Sequence, residues 1–280
     1  MTIVPMSTAP DMTSDTTFRN WGSAISAALA SIGWVQAADT GQINWTTVTK
    51  PTATNTAAGY EIWRMNDSLQ ATNPVYLKIE YGCAGALTTP AIWITVATGS
   101  NGAGTLAGQV GSRQIVGPGT GTAGAYTCWF SGSSARLTAY LWDASNFYAL
   151  IMVERSHDAA GADTSAGIMI GLGNSASKFT QFIPFAGPVP AQYAAFNCCS
   201  PPTGTATYAT DVYMFPVRAW GPGEMAPFKG LAAYFNADIA AASQITVTDW
   251  SGTSRNFYAA GRAPVGASYG GTTVWAVLYE

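Results

Sequence analysis

Charge is the first thing this sequence lacks. Asp, Glu, Lys and Arg make up only 10% of its 280 residues, while hydrophobic residues make up 48%, against a charged share of about 25% in ordinary soluble domains. So little charge keeps a bare surface poorly in solution, which predicts that other subunits cover much of that surface. The net charge of −3 and isoelectric point near 5.1 leave no clustered Lys and Arg for duplex binding, so no nucleic-acid partner is expected. Length alone allows one large β domain or two smaller ones.

Long apolar runs are missing too. No segment approaches the roughly 20 residues that span a bilayer, and the opening MTIVPMSTAPDMTSD has neither the basic start nor the apolar run of a secretory signal. These features predict a soluble protein made in the cytoplasm, with no membrane insertion. The four cysteines, Cys83, Cys128, Cys198 and Cys199, form no CxxC pair and no His-containing metal spacing. Cys198 and Cys199 stand side by side in the turn-rich FNCCSPPTGT, where a disulfide is open to them in an oxidising medium; reduced, partly buried thiols are the expectation.

Reaction machinery is equally scarce. The single histidine, His157 in VERSHDAAGADTSAG, could act as a base oriented by Asp158 only for a serine in a strained elbow, and there is no GxSxG. His157 therefore reads as an exposed loop residue. One histidine without a carboxylate cluster gives no catalytic zinc or iron site, and Asp158 with Asp163 makes only a weak cation candidate beside a true DxDxDG loop. Glu61, Glu80, Glu154 and Asp143 lie in or beside expected strands and could supply a glycosidase pair. Alternation, however, puts Glu80 opposite the Ile79 and Tyr81 face, and Glu154 adjoins Arg155, so both read as solvent-face charges. GIMIGLGN is glycine within an apolar strand, and no GxxxxGK[ST] is present, so no nucleotide is expected. No residue is assigned a catalytic, cofactor-binding or metal-ligating role, and no cofactor is expected.

What the chain does have is aromatic residues and period. It carries 10 Trp and 13 Tyr, and Trp45, Trp63, Trp93, Trp129, Trp142, Trp220, Trp250 and Trp275 are spread over separate strands and turns. That spread fits core and subunit contacts better than one sugar-stacking platform. Phe18, Trp21, Ile25, Leu29 and Ile32 recur at three- and four-residue steps and predict an amphipathic helix over 16–32, with Ser14, Asp15 or Thr16 as N-cap and Gly33 as stop. The period then becomes two. In GYEIWRMNDSLQATNPVYLKIEYG, residues 59–82, Ile62, Trp63, Val75, Leu77 and Ile79 read as core or subunit contacts, and Asn66, Asp67, Gln70 and Asn73 as the elbow joining two strands. Ala91–Gly99 is the expected partner of the second strand.

The segment 99–124 is so rich in Gly, Ser and Thr that it reads as loop, or as a strand pair with long tips, and a sub-boundary can fall there. Further strands are expected in AYTCWFSG, AGIMIGLGN, KFTQFIPFAG, TDVYMFPVRAW and GLAAYFNADI. Arg136–Trp142 against Phe147–Ser156 forms a hairpin turned by Asp143–Asn146, and ITVTDWSGTSRNFYAA forms another with Ser251–Thr253 at its tip. No repeat of propeller period is present. The expected architecture is an N-terminal arm, 1–15, and one β-rich domain, 16–280: an all-β, antiparallel β-sandwich, jelly-roll-like, with one N-terminal amphipathic α-helix. The closing TTVWAVLYE is expected to present a strand edge that a neighbour could extend.

The lettering of FRNWGSAISAALASIGW, GYEIWRMNDSLQATNPVYLKIEYGCAG, PAIWITVATGSNGAGTLAG, YLWDASNFYALIMVERSHDAAGADTSAGI and VWAVLYE resembles virion structural proteins of tailed bacteriophages. The resemblance runs from Phe18 to Glu280, and its motifs are strand and turn patterns that carry no site residues. It implies a non-enzymatic virion component, a tail, baseplate or fibre-region building block in a symmetric oligomer, whose partners are other virion proteins and copies of itself. A receptor- or carbohydrate-binding module contacting host surface glycan, and a capsid decoration protein, are the alternatives; a polysaccharide depolymerase is the least favoured.

Overall fold

The computed structural model describes residues 2–6, 11–116, 126–143, 148–158, 162–173, 179–183, 195–196, 213–221, 224–235, 244–248, 254–259 and 274–279. Helix α1 spans Asp15–Ser31. Of the three candidate caps Ser14 is the one used: its hydroxyl accepts from the Thr17 amide at 3.1 Å, and the Thr17 hydroxyl accepts from the Ser14 amide at 3.1 Å, closing a reciprocal capping box. At the other end Gly33 adopts φ +96°, a left-handed conformation that glycine enters without penalty and that lets the chain leave the helix. Phe18, Trp21, Ile25 and Leu29 form the buried face, and Ile32 follows them into the core, so the three-and-four spacing did its expected work.

The strands form three antiparallel sheets. The first runs in the order β2 (Val35–Gln36), β3 (Thr56–Arg64), β4 (Tyr76–Cys83), β5 (Pro90–Ser100) and β6 (Leu106–Val116). The second orders β1 (Thr2–Met6), β7 (Tyr126–Ser133), β8 (Arg136–Asp143), β9 (Tyr148–His157), β10 (Asp163–Gly173) and β11 (Phe179–Ile183). The third contains β12 (Ala195–Phe196), β13 (Tyr213–Gly221), β14 (Glu224–Phe235), β15 (Gln244–Thr248), β16 (Ser254–Ala259) and β17 (Val274–Tyr279), in the order β12-β13-β14-β17-β16-β15. The all-β, antiparallel class with one N-terminal helix is therefore the observed one. Within each sheet most neighbours follow one another along the chain.

One core joins the helix to two sheets. Leu77, Ile79 and Tyr81 of β4 and Ile92, Ile94 and Val96 of β5 meet the α1 face from one side; Phe130, Leu137, Ala139, Ile151 and Val153 of the second sheet close the same cluster. Each fully buried Ile, Leu or Phe there contributes about 1.5–3 kcal/mol relative to exposure. The first sheet is covered on its other face as well, where Ala37, Ile62, Ala97 and Leu106 pack with Tyr60 and Tyr76. Polar ties reinforce the seam between the first two sheets: Trp34 Nε1 donates to the Arg136 carbonyl at 3.1 Å, and the Asn66 amide to the Ser134 carbonyl at 2.8 Å.

Of the two readings of the Gly-rich segment, the strand and not the loop holds for Leu106–Val116, which pairs with β5 with a register shift opposite Ile94 and Val96 that absorbs the irregular lettering. One expectation is corrected: the terminal strand is not an edge, because β17 lies between β14 and β16, hydrogen-bonded to both. The turns Asp143–Asn146 and Ser251–Thr253 fall partly or wholly outside the described residues, as do Cys198, Cys199 and Trp250, while the strands flanking each turn pair as expected. Cys83 is a free, buried thiol donating to the Ala53 carbonyl.

Candidate functional site

Strand alternation decides where the chemistry collects. On β3, Ile62 points to the smaller core, so Glu61 and Trp63 on either side of it point to the main one. This turns a carboxylate into the protein interior, where it is 2% exposed. A buried carboxylate is tolerated only if its lone pairs are matched. Here four donors converge on it: Ser26 Oγ at 2.6 Å and Trp45 Nε1 at 2.9 Å on Oε1, Tyr81 OH at 2.6 Å and Trp63 Nε1 at 3.1 Å on Oε2. They come from α1, from the loop ahead of β3, from β4 and from β3 itself.

The donors are held by one another. Trp45 and Tyr81 meet edge to face with ring centroids 4.8 Å apart, Phe18 lies 5.6 Å from Trp45, and Trp21 lies 6.2 Å from Tyr81. Trp45 Nε1 also reaches Ser26 Oγ at 2.9 Å. Burial first, and then the negative charge of Glu61 and the hydrogen bond to it, push the Tyr81 phenol well above its usual value of 10, against a smaller opposing pull from Ser26. Tyr81 thus remains a proton donor to Glu61 across the neutral range. Since an ionised carboxylate offers about four acceptor positions, this arrangement uses them on the protein's own frame and leaves none facing a substrate.

A second polar cluster lies on the other sheet. Arg155 of β9 is fully buried and forks onto both oxygens of Asp67, with its NH2 group 3.1 Å from the Asn73 carbonyl. Beside it, Glu154 is 1% exposed rather than solvent-facing, and His157 is packed inside rather than out on a loop: its Nε2 lies 2.7 Å from Glu154 Oε1. His157 Nδ1 lies 3.0 Å from Asp163 Oδ1 without the alignment of a hydrogen bond, and Arg136 approaches Glu154 to 3.8 Å. Both readings of these residues failed for one reason. The register Arg136↔Glu154 and Asp163↔His157 brings charges from three strands together and lets them bury one another.

No family model and no curated protein matches this chain. Asp158, the residue expected to orient His157, instead closes its own turn, accepting from the Ala162 amide at 2.8 Å. The two nitrogens of His157 face Glu154 and Asp163, and among the described residues no serine is bonded to either. Glu80 does sit half-exposed as alternation predicts, in a fork with Arg113 (2.6 and 3.2 Å) whose guanidinium covers the Trp93 ring at 4.3 Å. Among the described residues no group of three or more His, Cys, Asp or Glu could hold a metal ion, and no helix is long and apolar enough to cross a membrane. The side chain of Asp143 lies outside the described set, so of the four candidate carboxylates three are placed, and Glu61, Glu80 and Glu154 each stand in a separate cluster.

Sequence reasoning named Glu61 and Trp63 but missed Ser26, Trp45 and Tyr81 as their partners. One signal was available: period two places Glu61 and Trp63 on one face of their strand, and Tyr81 on the inward face of the next. Nothing local pointed to Trp45, whose part depends on a loop folding back over the helix.

Proposed function

We propose that the protein is a non-enzymatic structural component of a tailed-bacteriophage virion, a tail, baseplate or fibre-region building block that assembles as a symmetric oligomer. The observation that carries this reading is the inward use of scarce charge. Glu61, Glu154 and Arg155 are buried, and Asp67 is nearly so; Glu61 ties α1 to the first sheet, Arg155 and Asp67 tie the first two sheets together, and Glu154 joins neighbouring strands of one sheet. A chain with only 10% charged residues that spends several of them inside has little left to hold an outer surface apart from its neighbours, and such surfaces favour contact. The particle comes from the sequence resemblance described above; the inward charges supply the physical reason for assembly.

The aromatic residues favour scaffold over host-glycan binding. Trp21, Trp34, Trp63 and Trp93 are buried, so none of them offers the open ring face on which a sugar stacks. The test is mass spectrometry and cryo-electron microscopy of purified particles. Density for this chain in a ring or at a fibre attachment of the tail is expected. Its absence from purified particles, with the free protein a stable monomer, overturns the reading; copies in the head lattice would make it a decoration protein, and isolated copies at the outer tip would move it to host recognition.

A further inference from the structure

Among the described residues three sheets leave six edges, and five of them are blunted. Strand β1 carries Pro5, β2 and β12 are two residues long, β6 has the register shift and Arg113, and β11 runs against β5 and β6 of the first sheet. These are the means by which proteins keep a strand edge from pairing with another chain. Among the described residues the edge strand β15, QITVT, has none of them: no proline, no charge, and an unbroken five-residue register with β16.

We propose that β15 is a self-pairing edge, joined antiparallel across a two-fold axis to β15 of a second copy of this chain. The occupant follows from the strand's own lettering. An antiparallel pair centred on Thr246 sets Thr246 against itself, Ile245 against Val247, and Gln244 against Thr248. Apolar β-branched residues then meet apolar ones and polar meet polar, on the same faces that the β16 register already defines, since Thr246 is opposite Asn256 and bonded to it at 2.8 Å. The contact is isologous, as a two-fold interface requires. It rests on the building-block reading and names the partner in it. Five residues per strand bury less than the roughly 1,000 Å² of a durable interface, so the pair is weak alone and gains strength when many copies are held together.

The test uses the full chain in analytical ultracentrifugation over a concentration series. Thr246 is exposed, so Thr246→Lys and Thr246→Glu can keep the fold, which circular dichroism checks. The wild type is expected to dimerise, each variant alone at least tenfold more weakly because like charges then face each other, and an equimolar mixture of the two to recover association. A wild type that stays monomeric throughout the series overturns the proposal, as do folded variants that dimerise as tightly as the wild type. Particle composition reads the other question separately: a chain present in virions whose dimer ignores position 246 loses the edge and keeps the building-block role, and a chain absent from virions loses that role whatever position 246 does.

Discussion

A carboxylate taken out of water must recover its hydration from something, and Glu61 recovers it from four uncharged donors on three different elements and one loop. Replacing one oxygen by an amide is therefore more telling than removing the side chain. In Glu61→Gln the NH2 group replaces an oxygen that accepts two hydrogen bonds, whichever way it turns; on the Oε1 side Trp45 keeps Ser26 Oγ and Ser26 keeps the Gly22 carbonyl as acceptors, whereas on the Oε2 side Trp63 and Tyr81 lose theirs. The expected loss is about 2–4 kcal/mol of unfolding free energy in urea titration, against at most about 1 kcal/mol at Glu80, which is only partly buried and paired with the more exposed Arg113. Tyr81 gives the same cluster a pH signature. Its phenol is held protonated well above 10 in the folded chain, whereas in the unfolded chain it ionises near its usual value. The folded state then binds the extra proton, so this contribution is complete below pH 10 and is lost as pH rises towards the folded value. The slope is about 1.4 kcal/mol per pH unit above 10. Alkaline denaturation should accordingly be shallower in Tyr81→Phe than in the wild type, even though Tyr81→Phe begins less stable at pH 7 for want of one hydrogen bond to Glu61. Parallel curves for the two proteins above pH 10 would remove Tyr81 from the account.

At the scale of the element, the helix shows how tertiary packing can reverse a local preference. Gly22 stands in the middle of α1, where glycine costs about 1 kcal/mol relative to alanine. A β-carbon built at this position would lie 1.9–2.4 Å from three atoms of the six-membered ring of Trp45, so only glycine leaves room for the indole that donates to Glu61. A peptide of α1 alone should gain helicity from Gly22→Ala, while the intact protein should lose about 1–3 kcal/mol, the usual cost of overpacking a close contact. Combining Gly22→Ala with Trp45→Leu should recover part of the overpacking term, and simple addition of the two single effects in thermal or urea unfolding would contradict the contact. This helix was the most legible element in the sequence because its apolar spacing, cap and terminal glycine agreed. Strands β4, β5, β8 and β9 were legible for the same reason, period and turn residues coinciding. Strand β6 was not, since LAGQVGSRQIV has the composition of a loop and is made a strand by a long partner, β5, that is buried on both faces. Nor was the interior place of β17, because which strands become neighbours depends on the closing of distant segments and leaves no local mark.

For the molecule as a whole, the ionic groups act as fasteners between layers. The sequence displayed Asp67 and Asn73 as turn residues, and that description was locally sound; what it could not display is that the elbow between β3 and β4 folds onto Arg155 of β9 in another sheet. There the fully buried guanidinium holds both Asp67 oxygens and the Asn73 carbonyl. An Arg–carboxylate pair of this kind adds little over a well-packed apolar pair, yet breaking it is costly because the remaining partner stays desolvated. Arg155→Leu should thus cost about 3–5 kcal/mol, while the double variant Arg155→Leu with Asp67→Leu should recover part of it. The position of the loss is the sharper test. Native-state hydrogen exchange should show β9 and the 65–75 elbow losing protection first, whereas α1 and β3, joined through Glu61, keep theirs until global unfolding. A Glu61→Gln protein should show the reverse order. If both variants lowered protection uniformly, the two clusters would belong to one cooperative unit, and the layers would be held together by the shared apolar core rather than by these ionic ties.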